Sequence, residues 1–267
     1  MGGAGAGWAT AIVMTFLLIC MAVYAQRSST MRALKLYSDF ARVNIAAIVN
    51  ILRLGIPIAL NIAAEIVFFA IIPLMIAHLG SDVVGAHAIA INIDSLAFMV
   101  PLGVASALTI KVAMAEGAGD PRLARRFCIV GYKMVFMLGL TTAVLKVTLR
   151  EDLAALFSSD PNVQLIAANL FLFAAVLGSV DSLQMTASGA LRGYKDVRIP
   201  LLIQVVAFWV IAFPIAYTLA LTDLWGEPMG VYGFWVGTII GASCAGIGLM
   251  TRWNIVSRRR IQALGNL

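Results

Sequence analysis

Long apolar runs are the feature that most constrains the fold of this chain. Seven stretches each supply the roughly 20 mainly apolar residues that a helix needs to cross a hydrocarbon layer about 30 Å thick. These stretches are 7–24, 55–79, 83–110, 127–149, 163–187, 199–221 and 231–250. Runs of this length contradict the alternating pattern of a membrane β-barrel strand. The sequence therefore predicts an all-α, polytopic membrane helix bundle with about seven transmembrane helices.

Composition agrees with lipid as the solvent. A mean hydropathy of +0.96 with 12% charged residues does not fit a soluble domain of 267 residues. The net charge of +6 comes from basic residues divided among short loops, so membrane lipid is the expected partner and nucleic acid is not. The three cysteines, Cys20, Cys128 and Cys244, lack the spacing of a metal site and are interpreted as packing residues.

The basic residues of the loops alternate between the two sides of the predicted membrane. The loops after the first, third, fifth and seventh apolar stretches are rich in Lys and Arg. The loops HLGSDVVGAH and LTDLWGEP contain none, and the loop after the fourth stretch contains only Arg150. Because cytoplasmic loops retain basic residues, this pattern predicts a multi-pass protein of the cell inner (plasma) membrane, with its N-terminus outside and its C-terminus in the cytoplasm.

The two ends of the first apolar stretch raise further expectations. The chain enters this stretch with neither a basic n-region nor a cleavage site, so we expect it to continue from a segment upstream. The connector after it is loosely amphipathic, with Met31, Leu34, Phe40 and Ile48 among its apolar residues. A helix on the cytoplasmic surface and a semi-ordered linker both fit this pattern.

Two carboxylates lie inside apolar stretches. Glu65 is near the middle of the second stretch, with Asn61 one turn before it, and Asp181 is in the fifth, with Gln184 three residues later. An ionisable side chain near the bilayer centre costs roughly 2.5–3.5 kcal/mol, so each such residue is a functional candidate. The alternative is that both are protonated or hydrogen-bonded and only hold helices together.

Asp94, in the third stretch, is a further candidate, and Asn92 is close by. Residues two apart point to different faces of a helix, so either of them could face inward. Phe68 and Phe69, together with the many Met residues, are predicted to form an adaptable apolar cavity lining.

Four other ionisable residues are given structural interpretations. Lys133 and Lys146, in the fourth stretch, are predicted to snorkel or to pair with a neighbour rather than to bind substrate. His78 and His87 bracket an external loop and could sense pH, but a structural role is the more common one for interfacial histidines.

Several motifs resemble one family of transporters. LRLGIPIALNIAAEIVFFAIIPLMIAHLGS, AHAIAINIDSLAFMVPLGVASALTIKV, ASGALRGYKDVRIP and GVYGFWVGTIIG occur in the order and at the distances found in the second half of multidrug and toxic compound extrusion (MATE) transporters. LRGYKD is the most specific of them. The resemblance implies a fold of about twelve helices in two six-helix lobes related by pseudo-twofold symmetry.

By this resemblance the chain divides into four parts. Residues 1–25 resemble the last helix of the N-terminal lobe, 26–53 form a cytoplasmic connector, 54–251 form a six-helix transmembrane lobe, and 252–267 form a basic cytoplasmic tail. An N-terminal lobe missing from the chain would then be a partner.

The resemblance also assigns roles to the candidate residues. Glu65 and Asp181 match the acidic residues of the family's seventh and tenth helices, which are implicated in binding the coupling cation, and Asn92 matches a polar position of the eighth. Na⁺ at Glu65 and Asp181 is one form of such a site. Two departures affect the coordinating shell, since Ala88 and Leu177 replace a glutamine and a tyrosine of relatives. The full candidate set for cation coupling and substrate binding is Glu65, Asp181, Asn92, Asp94, Gln184 and Asn61.

The function implied is a secondary antiporter that exports small organic, often cationic, drugs or toxins in exchange for H⁺ or Na⁺ by alternating access. No cofactor beyond the coupling ion is expected. An enzyme is not expected either, because no nucleophile triad, phosphate loop or metal spacing is present. Two alternatives stay open. One is a seven-helix receptor or retinal-type protein, although the last stretch lacks a lysine for a Schiff base; the other is an inactive fragment of a transporter.

Overall fold

A computed structural model describes residues 2–28 and 44–265, and these residues are almost entirely helical. The α-helices are α1 (Gly2–Arg27), α2 (Ile45–Ile76), α3 (Ser81–Gly117), α4 (Pro121–Thr148), α5 (Arg150–Phe157), α6 (Pro161–Gly193), α7 (Arg198–Val205), α8 (Phe213–Leu221) and α9 (Val231–Gly265). A 3₁₀ turn, Ala77–Leu79, follows α2, and a π-helix, Val206–Ala212, joins α7 to α8. The described residues form no β-strand.

Within residues 2–28 and 44–265, seven helical segments are long and apolar enough to cross a membrane. They are Gly7–Arg27, Ile45–Leu79, Ser81–Gly117, Pro121–Thr148, Pro161–Gly193, Arg198–Leu221 and Val231–Ala263. Six of them contain a whole apolar stretch and the fourth ends one residue before its stretch does, so the predicted helical membrane fold is confirmed. The helices run past most of these stretches because a helix continues after its apolar side chains have left the hydrocarbon layer.

The chain divides into two compact units, Met1–Asn50 and Ile51–Leu267. In the first unit, α1 exposes its large apolar side chains, among them Trp8, Phe16 and Leu18 at 66 to 70%. Such a surface is stable only against lipid or other apolar groups. The prediction of a surface helix in the connector falls mostly on residues 29–43, which lie outside the described residues. The last part of the connector, from Ile45 onward, belongs to α2.

In the second unit, α6 lies at the centre and packs against α3, α4 and α9. Small residues allow this close packing. A Cβ atom added to Gly189 would lie 2.6 Å from the backbone oxygen of Ala105, and one added to Gly193 would lie 2.7 Å from Cβ of Val112. The hydroxyl of Thr109 donates a hydrogen bond to the backbone oxygen of Gly189 at 2.8 Å. The backbones of α3 and α6 therefore touch directly, as is usual for membrane helices.

The last membrane helix uses the same principle. Three glycines of α9, each one turn apart, face three alanines, also one turn apart, that run from the end of the π-helix through α8. The pairs are Gly233 with Ala220, Gly237 with Ala216, and Gly241 with Ala212. A Cβ added to any of these glycines would lie 2.4 to 2.5 Å from an atom of its partner alanine. The two segments are antiparallel and in backbone contact.

Polar contacts hold the basic end of α9 against the bundle. Nε of Arg252 lies 2.6 Å from Oδ2 of Asp196, in the loop after α6. Arg125 of α4 donates a hydrogen bond to Oδ1 of Asn254 at 2.9 Å and lies over the ring of Trp253. The predicted basic tail therefore continues the membrane helix as far as Gly265.

Candidate functional site

Glu65 lies in α2, where two side chains from the following membrane segments meet it. Nε2 of Gln204 donates a hydrogen bond to Oε2 of Glu65 at 2.9 Å. Gln184 of α6 also lies close to Glu65, and the charge of Arg192 acts on it. Gln204 and Gln184 are each 1% exposed, so the carboxylate lies against buried amide side chains inside the bundle.

Asp181 is the second carboxylate of the cluster. It is 7% exposed, and its Oδ1 accepts no hydrogen bond from the described residues. Glu65, Asp94 and Lys146 all lie within electrostatic range of it. The two carboxylates predicted on separate helices are thus brought into one buried, charged cluster.

A third carboxylate, Asp94 of α3, has its own cation. Nζ of Lys146, in α4, donates to Oδ1 of Asp94 and also to the backbone oxygen of Ala174 at 3.1 Å. The side chains of the pair are 13% and 5% exposed for Asp94 and Lys146. The prediction that Lys146 pairs with a neighbour is confirmed. The pair connects α3, α4 and α6.

The ion pair packs against the helix that carries Asp181. A Cβ atom added to Gly178 would lie 2.8 Å from Nζ of Lys146 and 3.0 Å from Oδ1 of Asp94. Gly178 is three residues before Asp181, which places the two positions about 5–6 Å apart on one face of α6. Any larger residue at this point would require the side chains of the pair to shift.

The other predicted site residues are distributed between the interior and the surface. Asn92 is exposed, whereas Asp94 faces inward, which decides between the two faces of α3 that the sequence left open. Asn61 is 4% exposed and lies one turn before Glu65 on α2. Lys133, which was not a predicted site residue, is exposed on α4.

The two predicted cavity-lining aromatics differ in their surroundings. Phe68 is 1% exposed and packs edge-on against Phe69, Phe208 and Trp209, with ring centroids 5.0 to 6.4 Å apart. Phe69 lines a cavity of about 10 Å³ together with His87. Phe68 is therefore part of the packed core, and Phe69 is the one of the two that borders a space.

His87 has a structural contact of its own. It is 3% exposed, and the indole N–H of Trp235 donates a hydrogen bond to its Nδ1 at 3.2 Å. This enclosed position supports a structural role for His87.

Sequence reasoning missed Gln204 and Trp209. Both approach α2 beside Glu65, since the indole N–H of Trp209 donates to the backbone oxygen of Ala64 at 3.2 Å. The π-helix that carries Trp209 ends two residues before Pro214, whose ring excludes a regular α-helical hydrogen bond at that turn. A signal was present in the sequence: Gln204 is an amide inside an apolar stretch, and such polar groups are costly there unless they are paired.

The oxygens of the cluster suit a hard monovalent cation or a proton. Asp181 Oδ1, Gln184 Oε1 and Gln204 Oε1 are all buried without a hydrogen-bond donor among the described residues. Hard cations prefer carboxylate and amide oxygens of this kind. The described part of the chain holds no group of three His, Cys, Asp or Glu side chains placed to bind a metal ion, so a Na⁺ ion would have to use the amide oxygens as well.

The charges of the cluster are unbalanced. Among the described residues, Lys146 acts electrostatically on Asp94 and Asp181, and Arg192 acts on Glu65, so three carboxylates are accompanied by two cations. With all five groups ionised, one negative charge is left over. A single added positive charge would neutralise the cluster, and burial makes such neutrality favourable.

Comparisons with known proteins agree with this architecture. Residues 57–218 match the family model MatE. The multidrug resistance protein PmpM of Pseudomonas aeruginosa is 40% identical over 262 residues, which are 98% of this chain and 55% of PmpM. The chain therefore spans about half the length of this relative.

Solved structures show the same fold. The eukaryotic MATE transporter AtDTX14 superimposes with a TM-score of 0.80 at 20% identity, over 92% of this chain and 55% of that one. The Vibrio cholerae MATE transporter VcmN in its bent form gives a TM-score of 0.77 at 16% identity, over 91% of this chain and 55% of that one. With the family model covering more than half of its residues, this chain belongs to the multidrug and toxic compound extrusion family.

Proposed function

We propose that this chain works in a secondary antiporter that exports organic, often cationic, compounds in exchange for H⁺ or Na⁺ by alternating access. The observation that carries the proposal is the buried carboxylate of Asp181, whose Oδ1 has no hydrogen-bond donor among the described residues and which lies within electrostatic range of Glu65. A carboxylate kept unpaired in this environment is costly, and a bound cation offsets that cost.

The charge imbalance supports exchange of one positive charge at a time. The cluster of three carboxylates and two cations is neutral only when it holds one proton or one monovalent cation. A cationic substrate that reaches the same carboxylates competes with that charge, so binding of either lowers the affinity for the other. Such reciprocal coupling is what an antiporter requires.

The substrate is proposed to bind against this lobe. The cavity beside Phe69 has a volume of about 10 Å³, which holds no organic molecule, whereas ligand sites are commonly 300–1,000 Å³. Asn92, exposed on α3, is proposed to face the substrate path. The remaining wall of the path would come from the N-terminal lobe that the family resemblance implies.

The chain is a multi-pass membrane protein, and we propose the inner (plasma) membrane as its location. The alternation of basic loops supports an N-terminus outside and a C-terminus in the cytoplasm. Membership of the family argues against a seven-helix receptor or a retinal-type protein. An inactive fragment of a transporter is the alternative that an experiment has to address, and no enzymatic activity is expected.

The experiment measures cation binding and transport separately. Purified protein in detergent is tested for binding of ²²Na⁺ and for proton release on addition of a cationic dye. Proteoliposomes are then tested for dye efflux driven by an imposed Na⁺ or pH gradient. Glu65→Gln and Asp181→Asn remove the two carboxylates, and Glu151→Gln, at a carboxylate whose side chain is 81% exposed, is the matched control.

We expect the wild type and Glu151→Gln to bind a cation or release a proton, and both site variants to lose at least tenfold in that signal. Efflux that is equal in the wild type and in both site variants would show that the two carboxylates take no part in the coupling step. Cation binding without any efflux would instead favour the inactive fragment.

A further inference from the structure

Three basic side chains converge at one end of the second unit. Arg53 near the start of α2, Lys195 in the loop after α6, and Arg198 at the start of α7 are exposed and line one groove of about 400 Å³. Lys195 has a positive φ of 61°, a conformation rare for a residue with a side chain. The loop therefore adopts an unfavourable backbone conformation at this residue of the groove.

The positive charge of this groove is not neutralised by the residues that the structure describes. The one acidic residue in its lining, Asp196, is engaged by Arg252 at 2.6 Å. Arg53, Lys195 and Arg198 form no ion pair with any carboxylate in the described ranges. Three cations thus face an open groove, which favours an anionic ligand.

A second, apolar groove shares Arg198 with the basic one. It has a volume of about 760 Å³ and runs between α2 and α7, continuing to the π-helix. Its lining is almost free of polar surface and includes Leu60, Ala63, Val67, Leu202 and Trp209. A soluble anion would not need such an extension, whereas a molecule with an anionic head and a hydrocarbon tail would fill both parts.

The apolar groove, between Leu60 and Val67, is short enough to lie within one leaflet of a bilayer. At 1.5 Å per residue, Leu60 and Val67 lie roughly 10 Å and 21 Å along α2 from Arg53. Half of a hydrocarbon core is about 15 Å deep. The basic groove lies next to the loop that carries Lys195 and the apolar groove lies beside membrane-spanning residues.

We propose that these two grooves form a binding site for one anionic phospholipid of the cytoplasmic leaflet. Its phosphate group lies between Arg53, Lys195 and Arg198, and one acyl chain lies along α2 against Leu202 and Trp209. Because α2 also carries Glu65, the bound lipid is in contact with the helix of the cation cluster. The proposal concerns binding and does not depend on transport.

Native mass spectrometry of the purified chain tests the proposal with four probes at equal concentration: dioleoyl phosphatidylglycerol, dioleoyl phosphatidylcholine, the short-chain dihexanoyl phosphatidylglycerol, and inorganic phosphate. The head-group variant is Arg53→Gln/Lys195→Gln/Arg198→Gln. The matched control removes three other exposed arginines, Arg122→Gln/Arg126→Gln/Arg258→Gln. Ala63→Trp fills the apolar groove without changing a charge.

We expect the wild type to retain dioleoyl phosphatidylglycerol in preference to the other three probes. Each basic residue should contribute about fivefold to the affinity, so the head-group variant should bind the lipid roughly a hundredfold more weakly than the wild type does. The control variant should lose little affinity. Ala63→Trp should weaken the dioleoyl lipid and leave the dihexanoyl lipid unchanged. The single variants Arg53→Gln and Arg198→Gln replace the triple variant if it does not fold. Each is expected to lose about fivefold in affinity for dioleoyl phosphatidylglycerol.

Three results would overturn the proposal. Retention of phosphatidylcholine equal to that of phosphatidylglycerol would show that the basic residues do not select the head group. Inorganic phosphate or the dihexanoyl lipid binding as well as the dioleoyl lipid would identify an anion site without an acyl chain. An equal loss in the control variant would mean that total positive charge, and not this groove, attracts the lipid.

Discussion

Gln204 donates a hydrogen bond to the carboxylate of Glu65, and the two residues are 139 positions apart in the chain. The bond crosses from α7 to α2, and the neighbouring Trp209 adds a second contact to the backbone beside Glu65. The acidic residue that the sequence singled out is therefore oriented by a segment that sequence reasoning left without a role.

Gln204→Leu should impair coupling without unfolding the protein. Hydrogen bonds to charged groups contribute about 1.5–3 kcal/mol, so loss of this donor should lower cation-driven dye efflux by about tenfold or more. Gln262→Leu, at an exposed amide of α9, is the control. Efflux and thermal melting are measured on the same preparations. Unchanged efflux in Gln204→Leu would show that the orientation of Glu65 does not depend on this bond.

Lys146→Met should destabilise the bundle. Removing one partner of a buried ion pair costs about 3–5 kcal/mol, because Asp94 is then left as an unpaired buried charge. The double variant Asp94→Asn/Lys146→Met removes both charges and should recover most of the loss. Lys133→Met, on the exposed face of the same helix, should melt like the wild type. If the double variant is no more stable than Lys146→Met, the pairing is not the source of the stability.

Gly237→Ala should weaken the contact between α8 and α9. The added methyl group would lie 2.5 Å from Cβ of Ala216 and 2.6 Å from its backbone nitrogen, so the helices must separate. Overpacking of this kind costs about 1–3 kcal/mol, which a melting curve in detergent detects. Gly103→Ala, where the added methyl group meets no atom within 4 Å, should cause no loss. Equal melting of the two variants would contradict the close packing.

The proposed orientation predicts which loops are labelled from outside the cell. In a background without Cys20, Cys128 and Cys244, Ser81→Cys should react with a membrane-impermeant maleimide in intact cells. Lys195→Cys should react only after the membrane is opened, because basic loops stay in the cytoplasm. Labelling in the opposite order would reverse the topology.

The inward face of α3 shows where sequence reasoning stops. Asp94 and Asn92 were equivalent candidates, and only the packed structure turns Asp94 toward Lys146 while Asn92 stays exposed. In lipid an apolar helix has little contrast between its faces, so its rotation cannot be inferred from a hydrophobic stripe. Lys146 was expected to pair with a neighbour, but its partner lies 52 residues away and could not be named.

The sequence alone determined the helical membrane fold, the seven spans and the cost of burying Glu65 and Asp181, because the length of an apolar run and the price of a charge in it are local properties. The tertiary structure decided which groups meet, with Gln204 at Glu65 and Lys146 at Asp94. It also left one oxygen of Asp181 without a hydrogen-bond donor in the described part of the chain. These contacts depend on how each helix is rotated and how closely glycines such as Gly178 let it approach, and those are properties of the packed bundle.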